Sequence, residues 1–326
     1  GESCRLGVGK KLDLVSINCG ISAWGRGGHW NHALALLAAA LDASLETSAV
    51  TFGATVSACE RGGQWEHALD VLGQMRHLTA KPNIIIYNAA ISACEKCCQW
   101  AAALLLLQRL EREGLQADVI TYSAALSACE RGKQWERALS LLAEMRGGRV
   151  EPNVVSCSAA ISACEKGQRW EEALELLARM RWMDLETNAI TSNAVISACD
   201  QGLQWERSLG CLEHMLRRGP DADVITYSAA ISACGKSQQW EPASLLLKSM
   251  RLAKIEPNLI TCGAAIAAFE RGRQWELVLD VLRVMQQKRL RPNAVTCCAA
   301  MSSCQSGGGA WRRALDILEA MHQRGP

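Results

Sequence analysis

Apolar residues recur at helical spacing along the whole chain. Within the segment opening at Val119, residues Val119, Tyr122, Leu126 and Cys129 fall at i, i+3, i+7 and i+10, which is one face of a helix. Trp135, Ala138, Leu139, Leu142 and Met145 then repeat that geometry. Arg131-Gly132-Lys133 between them is a break of the kind that ends a helix at glycine. Gly147 to Asn153 closes the segment, with Pro152 as a stop and Asn153 placed to cap the next helix. No stretch alternates with a period of two over a strand length. Each segment therefore reads as a helix–turn–helix whose apolar face needs stacked neighbours to be buried.

The pattern returns at a fixed interval. Trp30, Trp65, Trp100, Trp135, Trp170, Trp205, Trp240 and Trp275 are each 35 positions apart, and Trp311 is displaced by one. Unit starts fall at Leu14, Ala49, Ile84, Val119, Val154, Ala189, Val224, Leu259 and Ala294, giving eight units of 35 residues and a final one of 33. Residues 1–13 are expected to be a leader or the remnant of a preceding repeat, and residues 14–326 nine repeats, the last incomplete. A period in this range predicts an all-α solenoid. It also explains eleven Trp beside three Tyr and two Phe. A hydrophobic fraction of 49% with 21% charged residues argues against disorder and against a small disulfide scaffold. The longest apolar run, Ala33 to Leu41, is nine residues, against the roughly 20 that a membrane-spanning helix needs. Gly1 rather than Met opens the chain and residues 1–13 lack the apolar core of a secretory signal. The expectation is a fragment or a processed form.

Several residues carry a resemblance. Thr121-Tyr122-Ser123, the Tyr87-Asn88 pair, the Trp-Glu-x-Ala-Leu of Trp135–Leu139, the late Met, and the junctions Pro82-Asn83, Pro152-Asn153, Pro257-Asn258 and Pro292-Asn293 resemble the pentatricopeptide repeat family. The resemblance covers residues 14–326 and points to the subtype built only from 35-residue units. It implies a right-handed superhelical solenoid that binds single-stranded RNA, one base per repeat. In the family, an aliphatic residue at the second slot clamps each base; here that slot holds Val15, Val50, Ile85, Ile120, Val155, Ile190, Ile225, Ile260 and Val295. The alternative, that these β-branched residues are merely core, stays open. Base identity is read by the fifth slot paired with the closing slot. The pairs are Asn18/Ser48, Gly53/Asn83, Asn88/Asp118, Ser123/Asn153, Ser158/Asn188, Asn193/Asp223, Ser228/Asn258 and Gly263/Asn293, followed by Cys298 without a partner. By the family's code this reads C, unclear, U, A, A, U, A, unclear from the 5′ end. Gly53, Gly263 and Cys298 depart from the usual polar residue, so units two, eight and nine are expected to read poorly. For the closing slot, helix capping is an alternative that does not exclude base contact.

Charge is nearly balanced, with 35 Lys+Arg against 33 Asp+Glu. Local placement matters more than the sum. Arg26, Arg61, Lys96, Arg131, Lys166, Lys236 and Arg271 share one slot, which in the family lies near the path of the phosphates. Glu60, Glu95, Glu130, Glu165, Asp200 and Glu270 precede that row and offset part of its field; alternatively, the acidic-then-basic pairs simply solvate a helix end. Cys59, Cys94, Cys129, Cys164, Cys199 and Cys234 share a slot on the apolar face and read as small core residues. Cys94 and Cys97 form a C-x-x-C without the second ligand pair of a closed zinc site, so no metal or cofactor is expected. His29, His32, His67, His77, His214 and His322 are scattered, and no phosphate loop or catalytic order accompanies them. The expected partner is single-stranded RNA, with no membrane and no small-molecule substrate, and with protein partners in RNA processing as a further option. The resemblance implies a chloroplast or mitochondrion, with the chloroplast slightly favoured. Two alternatives remain: a protein-binding helical scaffold, and the RNA-targeting portion of a larger enzyme.

Overall fold

A computed structural model describes residues 14–305 except 44, 46, 79, 219 and 292. Residues 1–13, residues 306–326 with Trp311 and His322, and the side chain of Val295 lie outside the described residues. Seventeen α-helices and no strands make up the described part. The first helices of the units are α1 (Leu14–Arg26), α3 (Ala49–Arg61), α5 (Ile84–Lys96), α7 (Val119–Arg131), α9 (Val154–Lys166), α11 (Ala189–Gln201), α13 (Val224–Lys236), α15 (Leu259–Arg271) and α17 (Ala294–Gln305). The second helices are α2 (Trp30–Asp42), α4 (Trp65–His77), α6 (Trp100–Arg112), α8 (Trp135–Gly147), α10 (Trp170–Trp182), α12 (Trp205–Arg218), α14 (Trp240–Leu252) and α16 (Trp275–Gln287). Every first helix begins at the unit start read from the sequence, and every described second helix begins at its tryptophan.

The chain forms two compact units, Gly1–Ala163 and Cys164–Pro326. In the first, α1, α3, α5 and α7 pack side by side, and α2, α4 and α6 each bridge their own first helix and the next. In the second, α11, α13, α15 and α17 form the equivalent layer, braced by α12, α14 and α16. Small residues permit the close approach within the first-helix layer: a Cβ on Gly25 would stand 3.0 Å from that of Ala58, and one on Gly235 3.1 Å from that of Ala268. Larger side chains such as Ile91, Leu110, Leu126, Ile231 and Leu282 fill the space between the layers.

The break between helices differs from the glycine stop expected of the sequence. Gly132 keeps a right-handed conformation at φ −79°, while Lys133 carries φ 56°. The turn closes with Gln134 N–H donating to Cys129 C=O at 2.9 Å and Lys133 N–H to Glu130 C=O at 3.1 Å, a Schellman pattern. Glycine is needed at 132 for packing instead. A Cβ there would sit 2.7 Å from Trp100 Cγ, and Gly62, Gly202 and Gly272 meet Trp30, Trp170 and Trp240 at 2.6–2.8 Å in the same way. These glycines belong to every second unit. In two of the intervening units the slot holds Cys97 and Ser237, whose side chains donate to the carbonyls of Gly63 and Leu203, each at 3.1 Å.

Cys59, Cys94, Cys129, Cys164, Cys199 and Cys234 are fully buried. No disulfide occurs among the described residues. Burial pushes these thiols up to about 11 for Cys59, Cys129 and Cys234, and to about 12 for Cys94, Cys164 and Cys199. They are protonated core residues, as the sequence indicated.

Candidate nucleic-acid interface

The second slot is exposed. Val15, Val50, Ile85, Ile120, Val155, Ile190, Ile225 and Ile260 are 58–72% accessible, one at the first turn of each first helix from α1 to α15. A β-branched apolar side chain repeated at that position while pointing into water is not a core residue. The next slot is the buried one: Thr51, Thr121, Ser156, Thr191, Thr226 and Thr261 are all 0% accessible. Each compact unit thus carries a row of aliphatic side chains on the open ends of its first helices.

Beside that row lie the paired polar slots. The closing residue is the N-cap of the following helix, held in extended backbone. Asn83, Asp118, Asn153, Asn188, Asp223, Asn258 and Asn293 each accept the backbone N–H three residues on, at 2.8–3.1 Å. Ser48 makes no such bond. Capping fixes which atoms face away from the helix. In the Asn caps the carbonyl oxygen is committed to the helix, which leaves the amide hydrogens for a ligand.

In two repeats the fifth-slot residue meets this cap in space across 30 residues of chain. Asn88 Nδ2 donates to Asp118 Oδ1 at 3.3 Å, and Asn193 Nδ2 to Asp223 Oδ1 at 3.3 Å and Oδ2 at 3.4 Å. Burial pushes both carboxyls up. Hydrogen bonds to the carboxylate, led by the backbone N–H of Thr121 or Thr226 and joined by the amide of Asn88 or Asn193, outweigh it, so both stand below the usual carboxylate value. The serine pairs are built differently. Ser228 Oγ lies 2.6 Å from Val224 C=O and 2.6 Å from Thr261 Oγ1, and Ser158 Oγ lies 2.6 Å from Val154 C=O. A hydroxyl whose proton goes to its own helix keeps only its lone pairs, and so acts as an acceptor. The Ser123 hydroxyl and the Asn18 carbonyl oxygen are buried without a hydrogen-bond partner.

The basic slot is stitched to the acidic slot of the preceding repeat. Lys96 pairs with Glu60 at 3.0 Å, Arg131 with Glu95 at 3.9 Å, and Lys236 with Asp200 at 2.7 Å. Where the preceding residue is Gly235, Arg271 donates to its backbone carbonyl at 2.7 Å instead. Arg26, Arg61 and Lys166 are exposed in the same row, and Arg61 follows a repeat whose acidic slot is Gly25. The acidic residues therefore do more than solvate a helix end: they join adjacent first helices.

The pentatricopeptide repeat domain family model matches residues 36–96, 105–169, 210–271 and 245–306, and the PPR repeat model matches residues 85–115 and 155–185. The chain belongs to the pentatricopeptide repeat family. Among solved structures, this pentatricopeptide repeat chain is similar to PPR10 from maize, at 24% identity and a TM-score of 0.70 over 96% of this chain and 45% of that one. It thus spans under half the length of PPR10. It is also similar to the PPR domain of Arabidopsis thaliana protein-only RNase P 1, solved in complex with tRNA, at 16% identity and a TM-score of 0.50 over 56% of this chain and 97% of that one. No curated protein matches it.

Reading the sequence alone passed over the third slot. Its hydroxyls contact the reading residues of the preceding repeat: Thr121 Oγ1 lies 2.6 Å from Asn88 Oδ1, and Thr226 Oγ1 2.6 Å from Asn193 Oδ1. The signal was available as Thr or Ser at 51, 121, 156, 191, 226, 261 and 296. A slot that is polar, recurrent and on the apolar side of its helix asks for a buried partner.

Proposed function

We propose that this chain binds single-stranded RNA sequence-selectively, one base per repeat, in organellar RNA processing, stabilisation or translation, with the chloroplast slightly favoured over the mitochondrion. The observation that carries the reading is the exposed Val/Ile row lying beside paired polar slots, two of which, Asn88/Asp118 and Asn193/Asp223, meet in space. An aliphatic side chain that takes a base face removes apolar surface from water, worth up to roughly 1.5–3 kcal/mol for full burial of such a side chain.

The donor and acceptor inventory supports the base assignments. In the Asn88/Asp118 and Asn193/Asp223 pairs, one amide donor and one amide acceptor site are used inside the protein. One N–H and one lone pair of the amide remain, with carboxylate lone pairs beside them. Uracil offers an N–H donor flanked by carbonyl acceptors, which that set complements. In the Ser228/Asn258 pair the serine is an acceptor and the asparagine keeps its amide hydrogens. Adenine offers an amino donor beside a ring acceptor, which that set complements. Gly53 and Gly263 contribute no side chain, so their repeats clamp without reading.

Phosphate contact by the basic row is part of the proposal, with Arg61 and Arg271, which face glycines, less neutralised than Lys96, Arg131 and Lys236. A protein-binding scaffold would not require polar slots that match base edges. The test is equilibrium binding to a short RNA containing UAAUA, beside a scrambled RNA and the same sequence as duplex, over a salt series. Preference for the UAAUA strand is expected, with affinity falling as salt rises. Equal weak binding to all three overturns the reading in favour of the scaffold.

A further inference from the structure

We infer that the buried hydroxyls of Thr121 and Thr226, at the third slot of the following repeat, are positioning groups for the base-reading amides of Asn88 and Asn193, and that they set which way round those amides face the RNA. The inference rests on the base-reading proposal above.

Thr226 shows the arrangement. Its side chain is fully buried. Its hydroxyl oxygen lies 2.6 Å from Asn193 Oδ1 and 2.8 Å from Asp223 Oδ1, and it accepts the Asp223 backbone N–H at 3.1 Å. A hydroxyl has one proton for these two acceptors. Asp223 Oδ1 is already served by the Thr226 backbone N–H at 2.9 Å and by Asn193 Nδ2 at 3.3 Å. Asn193 Oδ1 has no other donor among the described residues, and without the proton two bare oxygens would stand 2.6 Å apart. The proton therefore goes to the amide oxygen. Rotating the Asn193 amide by half a turn would set its oxygen against the ionised Asp223 carboxylate and its NH2 against a hydroxyl already accepting one bond. Thr121, Asn88 and Asp118 repeat the set at 2.6 Å and 2.8 Å in the other compact unit.

Capping alone does not account for the hydroxyl. Asn83 caps α5 through Ile86 N–H at 3.1 Å, although Ile86 has no hydroxyl. The repeat before Ile86 has Gly53 at its fifth slot, and a Cβ there would meet Ile86 Cγ1 at 3.3 Å. Where no side chain needs orienting, an apolar residue suffices. Gly263 is followed by Thr296, which lies 2.7 Å from its own cap, Asn293 Oδ1, a contact that Thr191 and Thr261 also make with Asn188 and Asn258 at 2.7 Å and 2.9 Å; Thr121, Thr226 and Thr261 reach back in addition to a fifth-slot side chain of the preceding repeat. Every fifth-slot Asn or Ser from Asn18 to Ser228 is followed 33 residues later by Thr or Ser; in the first such pair the Asn18 carbonyl oxygen and the Thr51 hydroxyl make no hydrogen bond, so the arrangement is that of Asn88 and Asn193.

Orientation matters because half a turn of the amide exchanges its donor and acceptor. Uracil and cytosine differ by the same exchange on their pairing edges. The measurement is the affinity ratio between RNAs carrying UAAUA and UAACA, which differ at the base assigned to the Asn193 repeat, for wild type, Thr226→Val and Thr226→Ser. Thr226→Val keeps the shape and removes the hydroxyl, and the ratio is expected to fall about fivefold, the equivalent of one net hydrogen bond. Thr226→Ser restores it. A Thr226→Val protein that binds both RNAs more weakly by one common factor, or with the wild-type ratio, overturns the inference while leaving base reading intact. The geometry is also read without RNA: the Asn193 side-chain NH2 resonances, assigned with Asn193→Ser, should shift in Thr226→Val and return in Thr226→Ser. Unchanged resonances overturn the inference even if RNA binding itself fails.

Discussion

Gly132 lies against the face of Trp100, with the position of a Cβ 2.7 Å from Trp100 Cγ. Trp30, Trp100, Trp170 and Trp240 are thus wedges against the turn of the next repeat. Gly132→Ala should cost roughly 1–3 kcal/mol, the range for overpacking a well-filled site. Gly73→Ala, in the interior of α4 with nothing within 4 Å of its Cβ position, should stabilise by up to about 1 kcal/mol. Thermal unfolding of the two variants checks the contrast; similar shifts would show that the wedge carries no strain.

Ile190 is 68% exposed although it is apolar and β-branched. Ile190→Ala should leave stability within about 0.5 kcal/mol of wild type and weaken RNA binding by roughly 1 kcal/mol, part of the value of a buried aliphatic side chain. Calorimetry and RNA titration read the two effects separately. A loss of stability with unchanged binding would return this row to the core.

Glu60 holds Lys96 at 3.0 Å on a partly exposed surface. Such pairs contribute about 0–1 kcal/mol, so Glu60→Gln should scarcely change stability. It frees a charge in the row assigned to phosphate. RNA affinity at low salt should rise about two- to fivefold, with a steeper salt dependence. An unchanged affinity and slope would remove Lys96 from the phosphate path.

Asp118 and Asp223 ionise more readily in the folded chain than the usual carboxylate. A depressed folded value contributes stability above the unfolded value, near about 3.9, and that contribution is lost as pH falls through the folded one. Stability should therefore hold from pH 7 to about 4 and decline below. The Asp118→Asn/Asp223→Asn double variant, which keeps both caps, should lose less over that range. Acid-unfolding curves that superimpose would contradict the assignment.

Cys59 and Cys94 are buried, with thiols pushed up to about 11 and about 12, whereas Cys19 and Cys98 are exposed. At pH 8 a thiol with a value of 11 is thiolate in about one part in a thousand. Iodoacetamide followed by peptide mass spectrometry should label Cys19 and Cys98 in the native protein, and Cys59 and Cys94 only after unfolding.

Helix boundaries were legible because tryptophan and the unit starts mark them directly: α7 begins at Val119 and α8 at Trp135, as periodicity requires. The role of Gly132 was not, since a glycine after a helix suggests a left-handed cap and only packing reveals Trp100 beneath it. The exposure of Ile190 was equally hidden. A β-branched residue beside Thr191 fits a helix start in either orientation, and only the stacking of neighbours decides which of the two turns inward. The Glu60–Lys96 and Thr226–Asn193 contacts lie 36 and 33 residues apart, beyond the reach of patterns within one repeat. They become visible only when adjacent repeats are superposed.

The central claim is that the Asn193/Asp223 pair reads one base. Asn193→Ser with Asp223→Asn converts that repeat to the serine–asparagine type while keeping the helix cap. Dissociation constants for UAAUA and UAAAA RNAs should then exchange order, wild type preferring the first and the double variant the second. A preference that stays the same in both proteins would contradict the account.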